Sequence, residues 1–203
     1  MKILNDVEGL SKYVEHKLQE HAGEAPVFTD DILYSPRASA VLFLLGRRCP
    51  RDHGDDTGPF LILNKRSAKV KQPGDLCCPG GSIVPRLDVT LARLLRLRGS
   101  PLARWAGWSE WRIRRPQEAF SLSLLLATGL RESFEEMRLN PLGVRFLGIL
   151  PPARLVMFQR VIYPMVCWIS GQVRFFPNWE VEKVVAVPLS SLLEPTNYAR
   201  CVM

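Results

Sequence analysis

The sequence predicts an α/β sandwich with a mixed β-sheet. Apolar runs of strand length lie near the start, a long amphipathic helix follows, and further strand-like runs with a short helix come after it. A chain of 203 residues, 47% of them hydrophobic, is long enough to bury a core. We therefore expect a single domain over 1–203, with 1–24 as an N-terminal helical extension.

Periodicity and turn residues mark the elements of the first half. Residues 1–22 carry apolar side chains at helical spacing and predict an amphipathic helix. Ala38–Leu45 and Phe60–Leu63 are apolar runs that predict two strands of a hairpin, joined by a polar loop over 47–58. A basic segment then leads to Pro79-Gly80-Gly81, which predicts a tight turn where backbone can approach a ligand or an ion closely.

The second half begins with a helical pattern at Leu87–Leu97 and continues with an acidic helix over 117–139, closed by Asn140-Pro141. Strands are predicted after this helix, followed by one more short helix. The predicted strands are Val144–Leu150, Met157–Ile169, Val173–Phe176 and Val184–Val187, and the last helix is 188–193.

The acidic helix carries a concentrated negative charge. Its apolar stripe consists of residues at spacings of four, four and three: Leu126, Leu130, Phe134 and Met137. The carboxylates of Glu132, Glu135 and Glu136 share a face directed away from that stripe, where like charges repel one another. Arg131 is the only local counter-charge. By themselves these residues favour a solvated acidic face, and binding of a divalent ion such as Mg²⁺ is the alternative.

Cysteine usage and hydropathy indicate the compartment. The five cysteines are odd in number and form no C-x-x-C pair, which argues for reduced thiols and against a zinc site or a disulfide framework. The longest apolar run, 120–130, is about half the ~20 residues that a membrane-spanning helix needs. The first residues lack the apolar region of a signal peptide. We expect an intracellular protein of the cytoplasm, mitochondrion or peroxisome.

Most of the formal charge of +7 is concentrated between residues 86 and 115, where eight arginines accompany two acids. Such a balance is compatible with phosphorylated ligands, nucleic acid or an anionic membrane. Trp105, Trp108 and Trp111 lie in the same segment at helical spacing. We favour a flap that packs these tryptophans onto the domain and leaves the arginines solvated. The alternative is a surface that docks on a membrane or stacks on bases.

The glycine corner and the acidic helix together resemble the Nudix box, whose pattern is G-x5-E-x7-R-E-U-x-E-E-x-G-U. Gly81 matches the first glycine of this pattern. The second half is matched by Arg131, Glu132, Glu135, Glu136 and Leu139. Arg131 lies 50 residues after Gly81 instead of 14, so about 36 residues, which we assign to 82–117, are inserted within the box.

This resemblance implies a Nudix-type α/β/α sandwich with an inserted Arg/Trp-rich segment, and hydrolysis of a diphosphate with Mg²⁺ or Mn²⁺. The implied metal ligands are Glu132, Glu135, Glu136 and a carbonyl oxygen of Gly80 or Gly81. Glu132 is also implied as the general base. Arg131 would orient the carboxylates through its ion pair with Glu135.

Two further assignments are looser. Glu180 or Glu182 is a candidate for an additional metal ligand, although acidic loops are usually solvated. A substrate's phosphates would contact the basic residues Arg66, Lys69 and Lys71, for which an ordinary basic surface loop is the alternative.

Segments outside the box are similar to the coenzyme A diphosphatase branch of this superfamily. They are Lys65-Arg66-Ser67, the run from Pro73 to Gly81, Pro177–Val181 and Val187-Pro188-Leu189. This similarity implies a small phosphorylated substrate, coenzyme A or acyl-CoA, which is split into 3′,5′-ADP and (acyl-)4′-phosphopantetheine.

Two box positions differ from the pattern. Position 123 is serine where the middle glutamate is expected, with Glu118 as the nearest carboxylate, and Arg138 replaces the second glycine. The alternative function is therefore a catalytically weak or inactive Nudix-fold module that binds RNA or an anionic membrane through its basic insert. Retention of all three helical glutamates favours the enzyme.

Overall fold

Eight strands form one mixed sheet in the computed structural model, which describes residues 4, 6–21, 28, 32–46, 58–155 and 159–198. The strands are β1 Ala38–Gly46, β2 Phe60–Arg66, β3 Leu76–Cys77, β4 Gly80–Ser82, β5 Val144–Ile149, β6 Ala153–Leu155, β7 Arg160–Ile169 and β8 Val181–Pro188. Strand β1 is central: it runs parallel to β7, and its other edge is shared by the antiparallel strands β2 and β4. Strand β2 also pairs with β3 and β8, and β7 with β5 and β6, all antiparallel.

Helices cover both faces of this sheet. They are α1 Val7–His21, α2 Pro85–Leu94, α3 Trp108–Arg114, α4 Glu118–Met137 and α5 Leu189–Leu193, with short 3-10 helices at Ile32–Tyr34, Pro141–Gly143 and Pro195–Asn197. One face is covered by α4, whose residues 122–131 are all buried. Side chains of α1 and α5 pack on the other face, around Leu45, Leu61 and Trp168. The predicted α/β/α sandwich with a mixed sheet is confirmed. Within the described residues, no helix is long and apolar enough to cross a membrane.

Most predicted elements occur where the sequence placed them, and three expectations need correction. Gly80-Gly81 is part of strand β4 and not only a turn. The predicted strand Val173–Phe176 is irregular, because this segment runs past the C-terminal end of α4, where the Phe176 N–H donates to the Met137 carbonyl. Phe134, assigned to the buried stripe of the acidic helix, is 43% exposed. The polar loop predicted over 47–58 lies outside the described residues, except Gly58.

The inserted segment packs its tryptophans inward, as favoured above. Trp105, Trp108 and Trp111 are each 5–7% exposed, and Trp105 packs edge-on against Phe146 with 5.0 Å between ring centroids. The Arg115 guanidinium lies over the Trp111 ring at 4.9 Å. Stacking of bases on these tryptophans would require exposed rings, so that form of the alternative is wrong.

Candidate active site

The C-terminal half of α4 meets strand β4 at Glu136. Its Oε2 accepts hydrogen bonds from the Gly80 N–H (3.2 Å) and from Asn64 Nδ2 on β2 (2.9 Å). Gly80 has a φ of +146°, and a Cβ there would lie 2.2 Å from the Ala40 carbonyl oxygen of β1. Only glycine lets the backbone of β4 lie this close to both β1 and α4.

The absence of a side chain at Gly81 leaves room for Glu132. A Cβ on Gly81 would lie between 2.5 and 2.8 Å from the carboxylate atoms of Glu132. The side chain of Glu132 therefore occupies the space that any other residue at position 81 would fill. The glycine corner and the acidic helix, which are distant in sequence, are in direct contact.

Burial makes the two glutamates poor anions in the absence of a cation. It raises the pKa of Glu136 to about 8; the hydrogen bond from Gly80 opposes this rise, and the nearby carboxylates of Glu132 and Glu180 add to it. The pKa of Glu132 is also raised, first by burial, while the adjacent Arg131 opposes the rise. Desolvation together with neighbouring like charges shifts carboxyl pKa values in this direction.

Arg131 connects the carboxylates of this region. Its guanidinium contacts Glu132 (Nη2 to Oε1, 3.0 Å) and Glu135 (Nη1 to Oε2, 3.2 Å), and it donates to the Ser82 carbonyl (3.0 Å). The expected Arg131–Glu135 pair is present. Burial acts to lower the pKa of Arg131, but the hydrogen bond with Asp88 and the surrounding carboxylates raise it above its ordinary value.

The remaining predicted acidic residues differ in position. Glu135 is half exposed, at 51% of its side chain, and contacts the site through Arg131. Glu180 lies close enough to raise the pKa of Glu136, whereas Glu182 forms an ion pair with Lys65 at 2.8 Å. Of the two candidates for an additional ligand, the structure brings Glu180 to the site and directs Glu182 to a surface lysine.

The basic loop after β2 lies beside the segment that contains Trp179 and Glu180. Ser67 joins them, because its N–H donates to the Glu180 carbonyl (2.9 Å) and its hydroxyl to the Trp179 carbonyl (2.8 Å). Arg66 Nε donates to the Lys71 carbonyl (2.8 Å), while the side chains of Lys69 and Lys71 are exposed. Trp179 is 61% exposed, so an exposed aromatic side chain and this basic loop lie beside Glu180.

Comparisons with known proteins agree with this geometry. No family model matches the sequence. The chain is 29% identical over 176 residues to the uncharacterized Nudix hydrolase NudL of Enterobacter sp. strain 638, covering 85% of this chain and 68% of that protein. It is 40% identical over 76 residues to NudL of Pectobacterium atrosepticum, covering 36% of this chain and 38% of that protein. The chain thus spans well under two thirds of the Pectobacterium relative.

A structural comparison bears on the fold alone. A Nudix hydrolase from Alicyclobacillus acidocaldarius superposes with a TM-score of 0.50 at 16% identity, over 77% of this chain and 81% of that one. The chain is similar in sequence to Nudix hydrolases and has a Nudix-type α/β/α fold.

The segment that resembles the Nudix box contains one more carboxylate, which was not among the predicted site residues. Asp88 on α2 is fully buried and pairs with Arg131 through two contacts, Oδ1 to Nε (2.7 Å) and Oδ2 to Nη2 (3.2 Å). Asp88 follows Gly81 by seven residues, close to the six of the G-x5-E spacing. That spacing was the signal available in the sequence.

Ser123, at the position of the missing box glutamate, and Glu118, the nearest carboxylate, both make contacts away from Arg131. Ser123 is buried and donates to carbonyls of its own helix. Glu118 pairs with Arg115 at the far end of α4. Helix α2, which carries Asp88, lies within the segment 82–117 that we assign to the insertion.

The second position that differs from the Nudix box is Arg138, which replaces a glycine. Arg138 ends α4 in the left-handed region, at φ 57° and ψ 39°, with its N–H bonded to the Phe134 and Ser133 carbonyls. A left-handed residue at this place is the usual way to end a helix, and glycine adopts it most easily. Arg138 thus takes the conformation expected of the box glycine, with its guanidinium 5.1 Å from the Phe134 ring centroid.

The site fits a divalent ion in its chemistry. Asn64 Oδ1 is buried without a hydrogen-bond partner among the described residues, and Glu136 is partly buried beside two other carboxylates, with hydrogen bonds from neutral donors. A cation near Glu136 would relieve both features, and oxygen donors suit Mg²⁺ and Mn²⁺. Within the described part of the chain no three His, Cys, Asp or Glu side chains already form a metal cluster. Glu132 and Glu135 are instead turned toward Arg131.

Proposed function

We propose that this protein is a metal-dependent diphosphatase that hydrolyses a diphosphate linkage in a nucleoside diphosphate derivative, with coenzyme A or acyl-CoA as the favoured substrate. The observation that carries the proposal is the contact of Gly80 and Gly81 with Glu136 and Glu132. In this contact, two partly buried carboxylates meet backbone that only glycine allows, and Glu136 has only neutral hydrogen-bond donors. A solvated acidic face would leave Glu136 exposed and free of these contacts.

Mg²⁺ or Mn²⁺ would be held by Glu136, Glu135 and Glu132, with a carbonyl oxygen of Gly80 or Gly81 and with Asn64 Oδ1. When bound, such an ion neutralises phosphate oxygens and lowers the pKa of water. Glu180 is the candidate for a further ligand, because it already interacts electrostatically with Glu136. Glu182, paired with Lys65, is not needed for this set.

The chain's own residues divide the remaining roles. Glu132, whose pKa is raised by burial, accepts the proton of the attacking water. Arg131 is a positioning residue: fixed by Asp88, it sets the directions of Glu132 and Glu135. In the reaction a bond forms between the water oxygen and one phosphorus, and the bridging P–O bond breaks. From coenzyme A this gives 3′,5′-ADP and 4′-phosphopantetheine.

Substrate binding is assigned to the border of the site. Arg66, Lys69 and Lys71 are the cations available to phosphate groups, including the 3′-phosphate that distinguishes coenzyme A from simpler nucleotides. The exposed ring of Trp179, held beside this loop by Ser67, offers a face for the adenine. Two of the motifs similar to the coenzyme A diphosphatase branch, Lys65-Arg66-Ser67 and Pro177–Val181, lie in these two segments.

A panel of nucleoside diphosphate derivatives, with and without Mg²⁺ or Mn²⁺, tests this function. Metal-dependent release of 3′,5′-ADP from coenzyme A is the expected result, together with its loss in Glu136→Gln. Glu110→Gln is the matched control, since Glu110 pairs with Arg114 on the exposed side of α3. Absence of turnover on every member of the panel would leave the binding module as the better explanation.

A further inference from the structure

Residues 84–98 form a surface on which leucines and arginines are exposed together. The exposed apolar side chains are Val84, Leu87, Leu94 and Leu97. The exposed arginines are Arg86, Arg93, Arg96 and Arg98. We call these eight side chains the basic apolar face. Asp88 is the only acid in 84–98, and it is buried against Arg131, so the basic apolar face presents no negative charge of its own.

The side chains of α2 are distributed around its axis as in a helix that lies at a membrane interface. At about 100° per residue, the buried side of α2 is centred near Asp88, and Leu87 and Leu94 lie together on the solvent side. Arg86 and Arg93 lie beside them, about 100° around the helix axis. The apolar and basic parts therefore lie next to each other and both face outward.

The apolar part continues across the neighbouring groove. Between α2 and α4 lies a groove of about 300 Å³ with an almost wholly apolar lining, which includes Leu91, Leu94, Leu95, Leu130, Phe134 and Pro141. Leu142, next to Pro141, is 69% exposed. Glu135 is the nearest exposed acid of α4, and its carboxylate is paired with Arg131. The surface is thus both wider and more apolar than a single solvated helix needs.

We propose that the basic apolar face docks on a membrane surface that contains anionic lipids. Headgroup phosphates and carboxylates complement the arginines, and leucines enter the boundary between headgroups and acyl chains. A second copy of the chain would bring four arginines against four others. Nucleic acid would satisfy the arginines but would leave the leucines in water.

Docking is independent of the proposed hydrolysis, and it has a consequence for the site's location. Helix α2 carries Asp88, which holds Arg131, on the side opposite to the basic apolar face. The candidate active site would then lie one helix away from the lipid. Leu94 and Leu97 are 53% and 60% exposed and are not among the residues assigned to metal or substrate, so docking and turnover should be separable by mutation.

Vesicle flotation of the full chain tests the proposal. We expect binding to vesicles of phosphatidylcholine with phosphatidylserine, little binding to phosphatidylcholine alone, and weaker binding at high salt. Leu94→Ser with Leu97→Ser should lower the partition constant roughly tenfold or more, because two apolar side chains no longer enter the interface. Each of Arg93→Gln and Arg96→Gln should lower it about fivefold.

Matched controls lie on other surfaces. Leu193→Ser changes a leucine that is 64% exposed on α5, and Lys12→Gln changes an exposed lysine on α1; both helices cover the sheet face opposite to α4. Both controls should bind vesicles like the parent protein, and the Leu94/Leu97 variant should retain its unfolding midpoint and its turnover. Equal binding to both vesicle types, or unchanged binding by the α2 variants, would overturn the proposal. So would RNA binding or dimer formation that depends on the same residues in the absence of vesicle binding.

Discussion

Arg131 and Asp88 form a two-contact ion pair across 43 residues of sequence, with distances of 2.7 and 3.2 Å. Asp88 Oδ2 also accepts hydrogen bonds from the Thr128 hydroxyl (2.9 Å) and the Val84 N–H (2.7 Å). The carboxylate is fully buried, and every contact fixes its direction. Helix α2 is thus joined to α4 at the turn that carries the catalytic candidates. Asp88 fixes the position of Arg131 independently of the contacts that Arg131 makes with Glu132 and Glu135.

Asp88→Asn should destabilise the protein and reduce turnover. Breaking a buried pair costs about 3 kcal/mol or more when the remaining charge has no other partner. Arg131 keeps Glu132 and Glu135, so the cost here should lie below about 3 kcal/mol. Arg131 would lose its fixed position, so Glu132 and Glu135 would lose theirs. Urea denaturation measures the first effect. The second is read as a fall in kcat for the folded fraction, while Glu110→Gln should change neither.

Ser123→Glu gives the complementary test of which residue replaces the box glutamate. A glutamate at this fully buried position would find only its own helix and apolar neighbours, so its burial is costly. We expect strong destabilisation without gain of activity. An active and stable Ser123→Glu variant would show that the box glutamate belongs at position 123 and that Asp88 is dispensable.

The sequence was sufficient for the contacts that depend on a motif and insufficient for those that depend on packing. Glu132 and Glu136 were found because the spacing of the second half of the box is intact, and the glycine corner was found because Gly80-Gly81 precedes it. Asp88 was missed because the insertion moved Arg131 away from its partner, and counting back from Arg131 leads to Ser123. Only the packing of α2 on α4 brings the two together.

Short strands and exposed apolar residues were missed for similar reasons. Strands β3, β4 and β6 contain two or three residues each, too few for any periodicity, and their pairing is decided by β1, β2 and β7. The exposure of Phe134 depends on how far α2 covers α4. The spacing of apolar residues within α4 alone cannot predict this coverage. The tryptophans of the insert, in contrast, were placed correctly because three large rings at helical spacing favour burial.

Gly80→Ala and Gly81→Ala should have different effects. At position 80 the new Cβ would meet the backbone of β1, at 2.2 Å from the Ala40 carbonyl oxygen, so folding should be impaired. At position 81 it would meet the carboxylate of Glu132, the mobile end of a side chain, so the fold should survive while turnover falls. Thermal unfolding and turnover measured together separate the two outcomes.

Gly74→Ala is the control for backbone strain alone, because Gly74 has a φ of +83° and no atom within 4 Å of a Cβ. It should cost about 1 kcal/mol without affecting turnover. Full activity of Gly81→Ala would contradict the assignment of Glu132 to the catalytic site.

Arg138→Gly should be tolerated and should raise stability slightly. Arg138 adopts the left-handed conformation, which costs a residue with a Cβ about 1 kcal/mol relative to glycine. The substitution also removes the contact with Phe134, so the net gain should remain below about 1 kcal/mol. Chemical denaturation measures it. A loss of several kcal/mol would mean that the Arg138 side chain, and not its backbone conformation, is what the helix end requires.

The pH dependence of stability should reveal Glu136 in the metal-free protein. Its pKa is raised from 4.5 to about 8 in the folded state, so between these values the folded state holds a proton that the unfolded state has released. The free energy of unfolding must then fall as pH rises through this window, by up to roughly 1.4 kcal/mol for each pH unit. Below and above the window, Glu136 contributes no slope.

Glu136→Gln isolates this contribution. Glutamine keeps an acceptor oxygen for the Gly80 N–H and carries no charge, so the variant should lack this slope and be more stable than the parent protein at pH 8 in a chelator. Added Mg²⁺ should stabilise only the parent protein, with an affinity that rises about tenfold per pH unit up to about 8, because binding releases the proton. Identical slopes for the two proteins in urea denaturation would show that Glu136 is already ionised at neutral pH. A buried glutamate that requires a cation would then no longer support the site.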